Sequence, residues 1–153
     1  MSCSDRVAIV TGASSGIGES IVTGLATAGC KVAMAARRLP ILEALKAKLV
    51  AAGIPQENLM CVATDVTQRV SVQALVDAAE EGLGPVDILV NCAGVMYFTL
   101  MKNCNQDEWD QTIDVNVKGV TNGFGAILPK FLSRSKGHIV TISSDAGRRV
   151  FPR

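Results

Sequence analysis

Three glycines in the spacing Gly12-x-x-x-Gly16-x-Gly18 carry the plainest chemical signal in this chain. The apolar run Val7-Ala-Ile-Val10 before them reads as a buried strand, and Ile17 to Ala28 after them reads as a helix. A glycine-rich turn at such a junction is a phosphate cradle. Gly12 permits the sharp turn out of the strand, Gly16 lets backbone approach a pyrophosphate, and Gly18 lets the helix pack tightly on the strand. The free N–H groups of the first helical turn then face the anion. Ser14, Ser15 and Ile17, set among the glycines, are expected to line the same ligand.

Further candidates follow other strand ends. Arg37 and Arg38 stand just before a helix that Pro40 starts, where two cations oppose the positive end of the helix dipole at a cost of roughly 0.3–1 kcal/mol each. An anionic partner reverses that sign. A nucleotide 2′-phosphate fits, because the arginine fork matches it. An NAD site wants a carboxylate at the end of the second strand, and Ala36 stands there instead, which argues for NADP(H). Two solvated surface arginines are the plain alternative. Asp65, with Val66 beside it, follows the third strand, where an aspartate serves turn or capping chemistry. Asn91-Cys-Ala-Gly94 follows the fourth, and its small residues, Ala93 and Gly94 among them, let backbone approach a ligand. Asn116 sits mid-helix, a poor place for Asn. It is either a tolerated polar residue on an exposed face or the mark of a distortion that frees a carbonyl for a water. Ser143 and Ser144 lie just past the fifth strand, where a hydroxyl pointing into the crevice can donate to a carbonyl oxygen; ordinary loop chemistry is the other reading. His138 is the one histidine and has no ligand-spaced companions.

The elements that must position these residues alternate along the chain. Strands are expected at 6–10, 31–35, 59–63, 86–90 and 138–142. Helices are expected at 17–28, after Pro40 with Leu42, Leu45 and Leu49 on one face, and through Val72, Leu75, Val76 and Ala79. One long helix is expected over 107–132. Strands at βα spacing without hairpin signals imply right-handed crossovers and a parallel sheet. The expected fold is a doubly wound Rossmann-type α/β domain over 1–153 with strand order 3-2-1-4-5, which places the glycine turn at the switch point.

Composition agrees with that class. Of 153 residues 48% are hydrophobic and only 4% aromatic, so the core is aliphatic. A net charge of +1 gives no electrostatic case for nucleic acid, and no apolar run approaches a membrane span. Five cysteines, an odd count without a C-x-x-C, argue against a disulfide framework or a zinc site and for a reducing, cytoplasmic setting.

Together, Thr11–Gly18, Asp65, Asn91–Gly94, Asn116 and Ser143–Gly147 resemble the short-chain dehydrogenase/reductase family in order and spacing. Cys92 departs from the family's Asn-Asn-Ala-Gly element. The resemblance implies hydride transfer between NADP(H) and an alcohol/carbonyl substrate. It further implies that Asp65 lies against the adenine, that Asn116 holds a water in a proton relay, and that Ser144, just before the x-Ala-Gly step, is catalytic. The family's Tyr-x-x-x-Lys is missing: Tyr97, the one tyrosine, precedes the serine and has Met101 four residues on. The chain is therefore expected to be the cofactor-binding portion of a longer enzyme, without the C-terminal strands, binding NADP(H) weakly and turning nothing over alone. A non-catalytic NADP(H) sensor, or a truncated regulatory isoform pairing through helix 107–132 in a homo-oligomer, is the alternative.

Overall fold

Val7-Ala-Ile-Val-Thr11 is buried at every position, which marks a strand covered on both faces rather than one with a wet side. The computed structural model describes residues 3–149. Its strands are β1 (Val7–Thr11), β2 (Lys31–Ala36), β3 (Leu59–Ala63), β4 (Val86–Asn91) and β5 (His138–Thr141). All pair in parallel, in the order β3-β2-β1-β4-β5. Helices α1 (Gly16–Thr27), α2 (Leu39–Ala51) and α3 (Arg69–Leu83) alternate with them. The connection from β4 to β5 carries α4 (Gln106–Ile113), a π segment (Asp114–Lys118) and α5 (Gly119–Ser133).

Alternation along the strands divides the core into two layers. Ala8, Val10, Val32, Met34 and Ile88 face α1 and α2, where Val22, Leu42, Leu45 and Leu49 meet them. Val7, Ile9, Ala33, Ala35 and Leu89 face α3 and α5, where Val72, Leu75, Val76, Ala79, Ile127 and Phe131 meet them. Each leucine so buried contributes roughly 1.5–3 kcal/mol. The leucine and valine rows expected from helical spacing are thus the ones that hold the helices on the sheet.

β3 lies where expected, and the other four strands differ from expectation by one residue at one or both ends. β1 starts at Val7 because the Arg6 N–H turns back to the Cys3 carbonyl, 3.2 Å away. The β1–β4 register slips between Val7 and Ala8, leaving Asp87 as an extra residue. Its carboxylate accepts the Val7 N–H at 3.2 Å and the Lys136 ammonium at 2.7 Å. Burial pushes the Asp87 carboxyl up, but the bonds from Lys136 and Val7 and the charges of Lys136 and Arg134 outweigh it, and it rests below the ordinary carboxylate value.

The single helix expected over 107–132 is corrected to three helical segments. The Gly119 N–H reaches back five residues to the Asp114 carbonyl, so the ladder slips by one residue at 114–118 and resumes in α5. α5 continues past Pro129 to Ser133.

Candidate functional site

The C-terminal ends of β1, β2, β3 and β4 open onto one cleft of about 390 Å³, within the range of small-ligand sites. Its floor is the β1–α1 turn. Gly12 has φ +69°, and a β-carbon there would lie 2.7 Å from the Ala93 Cα. A side chain at position 12 is therefore excluded by conformation and by space together. Gly18 does not line the cleft. A β-carbon on it would lie 2.2 Å from the Gly12 carbonyl oxygen, so its absence is what lets α1 sit down on the turn. Gly16 has φ +56° and open space where a β-carbon would project. Ser15, in extended conformation, precedes α1 without a side-chain cap, and the leading N–H groups of the helix lack a side-chain acceptor.

Ser14, Ser15, Gly16 and Ile17 line this floor. Arg37 and Arg38 line one rim, both exposed, and neither pairs with a carboxylate among the described residues. No acidic residue stands in the first turn of α2 to offset them.

Asp65 and Val66 also line the cleft. One Asp65 carboxylate oxygen accepts the Thr67 N–H at 3.0 Å and the Thr67 hydroxyl at 2.8 Å, which is the turn chemistry its position suggests. The Asp65 N–H donates to the Ser71 hydroxyl at 3.0 Å. The turn rigidity and the place against the cleft coexist in one residue.

The opposite wall is Cys92, Ala93, Gly94 and Val95. Thr11, at the buried end of β1, ties it to the floor: its hydroxyl oxygen accepts the Cys92 N–H at 3.1 Å and the Ala93 N–H at 3.2 Å, and its proton is directed at the Val90 carbonyl at 3.4 Å. Sequence reasoning missed this role, although a threonine ending an otherwise aliphatic strand was the available signal. Burial pushes the Cys92 thiol up, so it remains protonated near neutral pH. Asn91 lies beneath the cleft rather than in it, buried, with its amide nitrogen unpaired and its side-chain oxygen against Gly123. Ala35 and Ala36 at the end of β2, with Thr64, Val115 and Ile142, complete the lining, and the last three were not foreseen.

Asn116 lies inside the π segment. Its carboxamide accepts the Val95 N–H at 2.9 Å and donates to the Val95 carbonyl at 2.9 Å. The residue is exposed, yet its carboxamide closes a two-point clamp on the cleft wall across 21 residues. Ser144 departs from the expectation that it points into the crevice. It is exposed, stands outside the cleft lining, and its hydroxyl oxygen accepts the Ala146 N–H at 3.1 Å to start the turn Asp145–Gly147. That bond uses a lone pair and leaves the hydroxyl proton free to donate. Among the described residues no cluster of His, Cys, Asp and Glu could hold a metal, and no helix is long and apolar enough to cross a membrane.

The arrangement is that of a dinucleotide cleft, and comparison with known proteins agrees. A family model described as short chain dehydrogenase matches residues 6–153. The chain is 58% identical over 149 residues to the glycine betaine reductase ATRR of Emericella nidulans, covering 97% of this chain and 12% of that protein. Among solved structures, a short chain dehydrogenase/reductase from Burkholderia phymatum in complex with NAD has a TM-score of 0.92 at 34% identity, over 99% of this chain and 53% of that one. A metagenomic short-chain oxidoreductase in complex with NADP has a TM-score of 0.88 at 35% identity, over 99% of this chain and 67% of that one. The cofactor class is therefore NAD(P), and relatives of similar fold hold either form. Matched over nearly its whole length, this chain belongs to the short-chain dehydrogenase/reductase family.

Proposed function

We propose that this chain forms the NADP(H)-binding part of an oxidoreductase that interconverts an alcohol and a carbonyl compound. The observation that carries the choice of NADP(H) is the rim of the cleft. β2 ends in Ala36 rather than a carboxylate, and Arg37 and Arg38 stand beside it without acidic partners among the described residues. A 2′-phosphate offers these guanidiniums the charge-assisted, two-point bonds that a ribose hydroxyl cannot.

The remaining residues fit the same group. Gly12, Ser14, Ser15, Gly16 and Ile17 would hold the pyrophosphate over the uncapped start of α1, Asp65 and Val66 would flank the adenine, and Ala93 and Gly94 would admit it by being small. When bound, the nicotinamide supplies or accepts the hydride. The Ser144 hydroxyl, with its proton free, is assigned to hold a substrate oxygen, and Asn116 to order the wall and a water beside it. These 153 residues contain no Tyr-x-x-x-Lys, so we assign them cofactor binding rather than turnover on their own. The likeness to a glycine betaine reductase supports a small carbonyl compound bearing a quaternary ammonium group as the substrate class of the complete enzyme.

Titration of the protein with NADP and NAD tests the cofactor choice. NADP should bind the tighter by roughly one to two powers of ten, the worth of a charge-assisted bond or two. Arg37→Asp should shift preference toward NAD. An unchanged preference in that variant counts against the assignment.

A further inference from the structure

Two cysteines meet at the end of the sheet opposite the cleft, where β1 and β2 begin. The segment before β1 lies along the turn before β2. The Asp5 N–H donates to the Gly29 carbonyl at 3.2 Å and the Lys31 N–H to the Arg6 carbonyl at 2.9 Å. This brings Cys30, wholly buried, against Cys3, half-buried on the edge of the same core layer. The Cys30 thiol donates to the Cys3 carbonyl at 3.1 Å, and the nearness of Cys3 is, after burial, a cause that raises the Cys30 thiol. The other thiols are elsewhere. Cys61 lies on β3 and Cys92 follows β4, with β1 and β2 between them, and Cys104 is exposed beyond the 3-10 turn Met101–Asn103.

We propose that Cys3 and Cys30 are a redox-active pair that closes to a reversible intrachain disulfide when the protein meets a peroxide. The half-buried Cys3 sulfur is the one that peroxide reaches. It attacks one peroxide oxygen, the O–O bond breaks, and the departing hydroxide takes up the Cys3 proton as water, leaving a sulfenic acid. The Cys30 sulfur then attacks the Cys3 sulfur. The S–O bond breaks, and hydroxide leaves with the Cys30 proton as a second water. Two thiols lose two electrons and one peroxide gains them. Burial pushes the Cys30 thiol up to about 11, so it waits as a protonated donor and does not compete with Cys3 for the oxidant. The bridge encloses β1, the glycine turn and α1 in one loop, pinning the segment ahead of β1 to the start of β2. A thiol reductant reopens it by exchange.

The test treats the purified protein with hydrogen peroxide, blocks remaining thiols with iodoacetamide after unfolding, and digests with trypsin without reductant. The expected product is the peptide ending at Arg6 joined to Val7–Lys31, two hydrogens lighter than the separate pair and parted by dithiothreitol. It should form in more than half of the chains before Cys30 gains any oxygen. Cys30→Ala should send Cys3 on to sulfinic and sulfonic acid, whereas Cys3→Ser should leave Cys30 a free thiol. Oxygenated Cys3 beside an unreacted Cys30 in the unsubstituted protein overturns the proposal, as does Cys3 linked instead to Cys104 of a second chain. The unsubstituted protein decides by itself, so a variant that fails to fold leaves the test standing.

Discussion

Gly18 and Gly24 occupy the same helix, yet alanine should act on them with opposite sign. At either position Gly→Ala relieves the same backbone entropy cost, about 0.5–1 kcal/mol in favour of the fold. At Gly24 the new carbon meets nothing within 4 Å, so that gain stands alone. At Gly18 it would lie 2.2 Å from the Gly12 carbonyl oxygen and 2.8 Å from the carbonyl carbon, where ordinary contact begins at 3.4 Å. Both neighbours are backbone and cannot rotate aside, so α1 must lift or the turn must deform. Overpacking of this kind costs roughly 1–3 kcal/mol, more than the helical gain. Gly18→Ala should therefore destabilise by about 1–2 kcal/mol, while Gly24→Ala stabilises by about 0.5–1 kcal/mol. Urea unfolding of the two variants beside the parent protein reads this as midpoints displaced in opposite directions at unchanged slope. NADP titration adds a second reading, because the carbonyl that Gly18→Ala displaces belongs to the cradle: its binding should weaken, and that of Gly24→Ala should not. Equal stabilisation by both alanines would refute the packing role given to Gly18.

Asn116→Ala removes both bonds to Val95 and should cost about 1–2 kcal/mol, with faster amide exchange at Val95 than in the parent. Asn116→Asp keeps the acceptor for the Val95 N–H but sets a second acceptor against the Val95 carbonyl, so it should be no more stable than Ala; an Asp variant as stable as the parent would point to a role other than the clamp. Asp87 links stability to pH. Its folded carboxyl lies below the unfolded value, so its contribution is complete above about pH 4 and fades as pH falls through the folded value. Asp87→Asn can still accept the Val7 N–H but loses the charge pair with Lys136. The variant should be about 1 kcal/mol less stable near neutrality and show a shallower acid slope, measured by denaturation between pH 2 and 7. Parallel slopes for the two proteins would show that the pair with Lys136 does not carry this pH dependence.

Most of the scaffold was legible because it rests on local repetition. Leu42, Leu45 and Leu49, and Val72, Leu75, Val76 and Ala79, repeat at helical spacing and are buried as that spacing requires. The glycine turn was legible because three positions need what only glycine supplies. What escaped notice depends on partners far along the chain. A π segment changes the hydrogen-bond ladder without changing residue type, so 107–132 read as one helix. Thr11 acts on Cys92 and Ala93, about eighty residues away. Asn116 finds Val95 only once the loop after β4 is folded back. Ser144 is drawn toward Ala146 by a local cap, which no reading of its distance from a strand end could weigh against a place in the cleft.

The cleft floor and its rim differ in how freely they can be rewritten. At Gly12 and Gly18 the neighbouring backbone occupies the volume a side chain would need, and Ala93 stands in the way of Gly12, so a change at one site must be answered at another. Arg37 and Arg38 have no such neighbours to consult: they project from the end of β2 into solvent. On the cofactor assignment proposed above, the preference between the two dinucleotides can therefore be changed at these two exposed positions while the glycine turn stays fixed. A redesign aimed at that preference should be confined to Arg37 and Arg38 and leave the turn untouched.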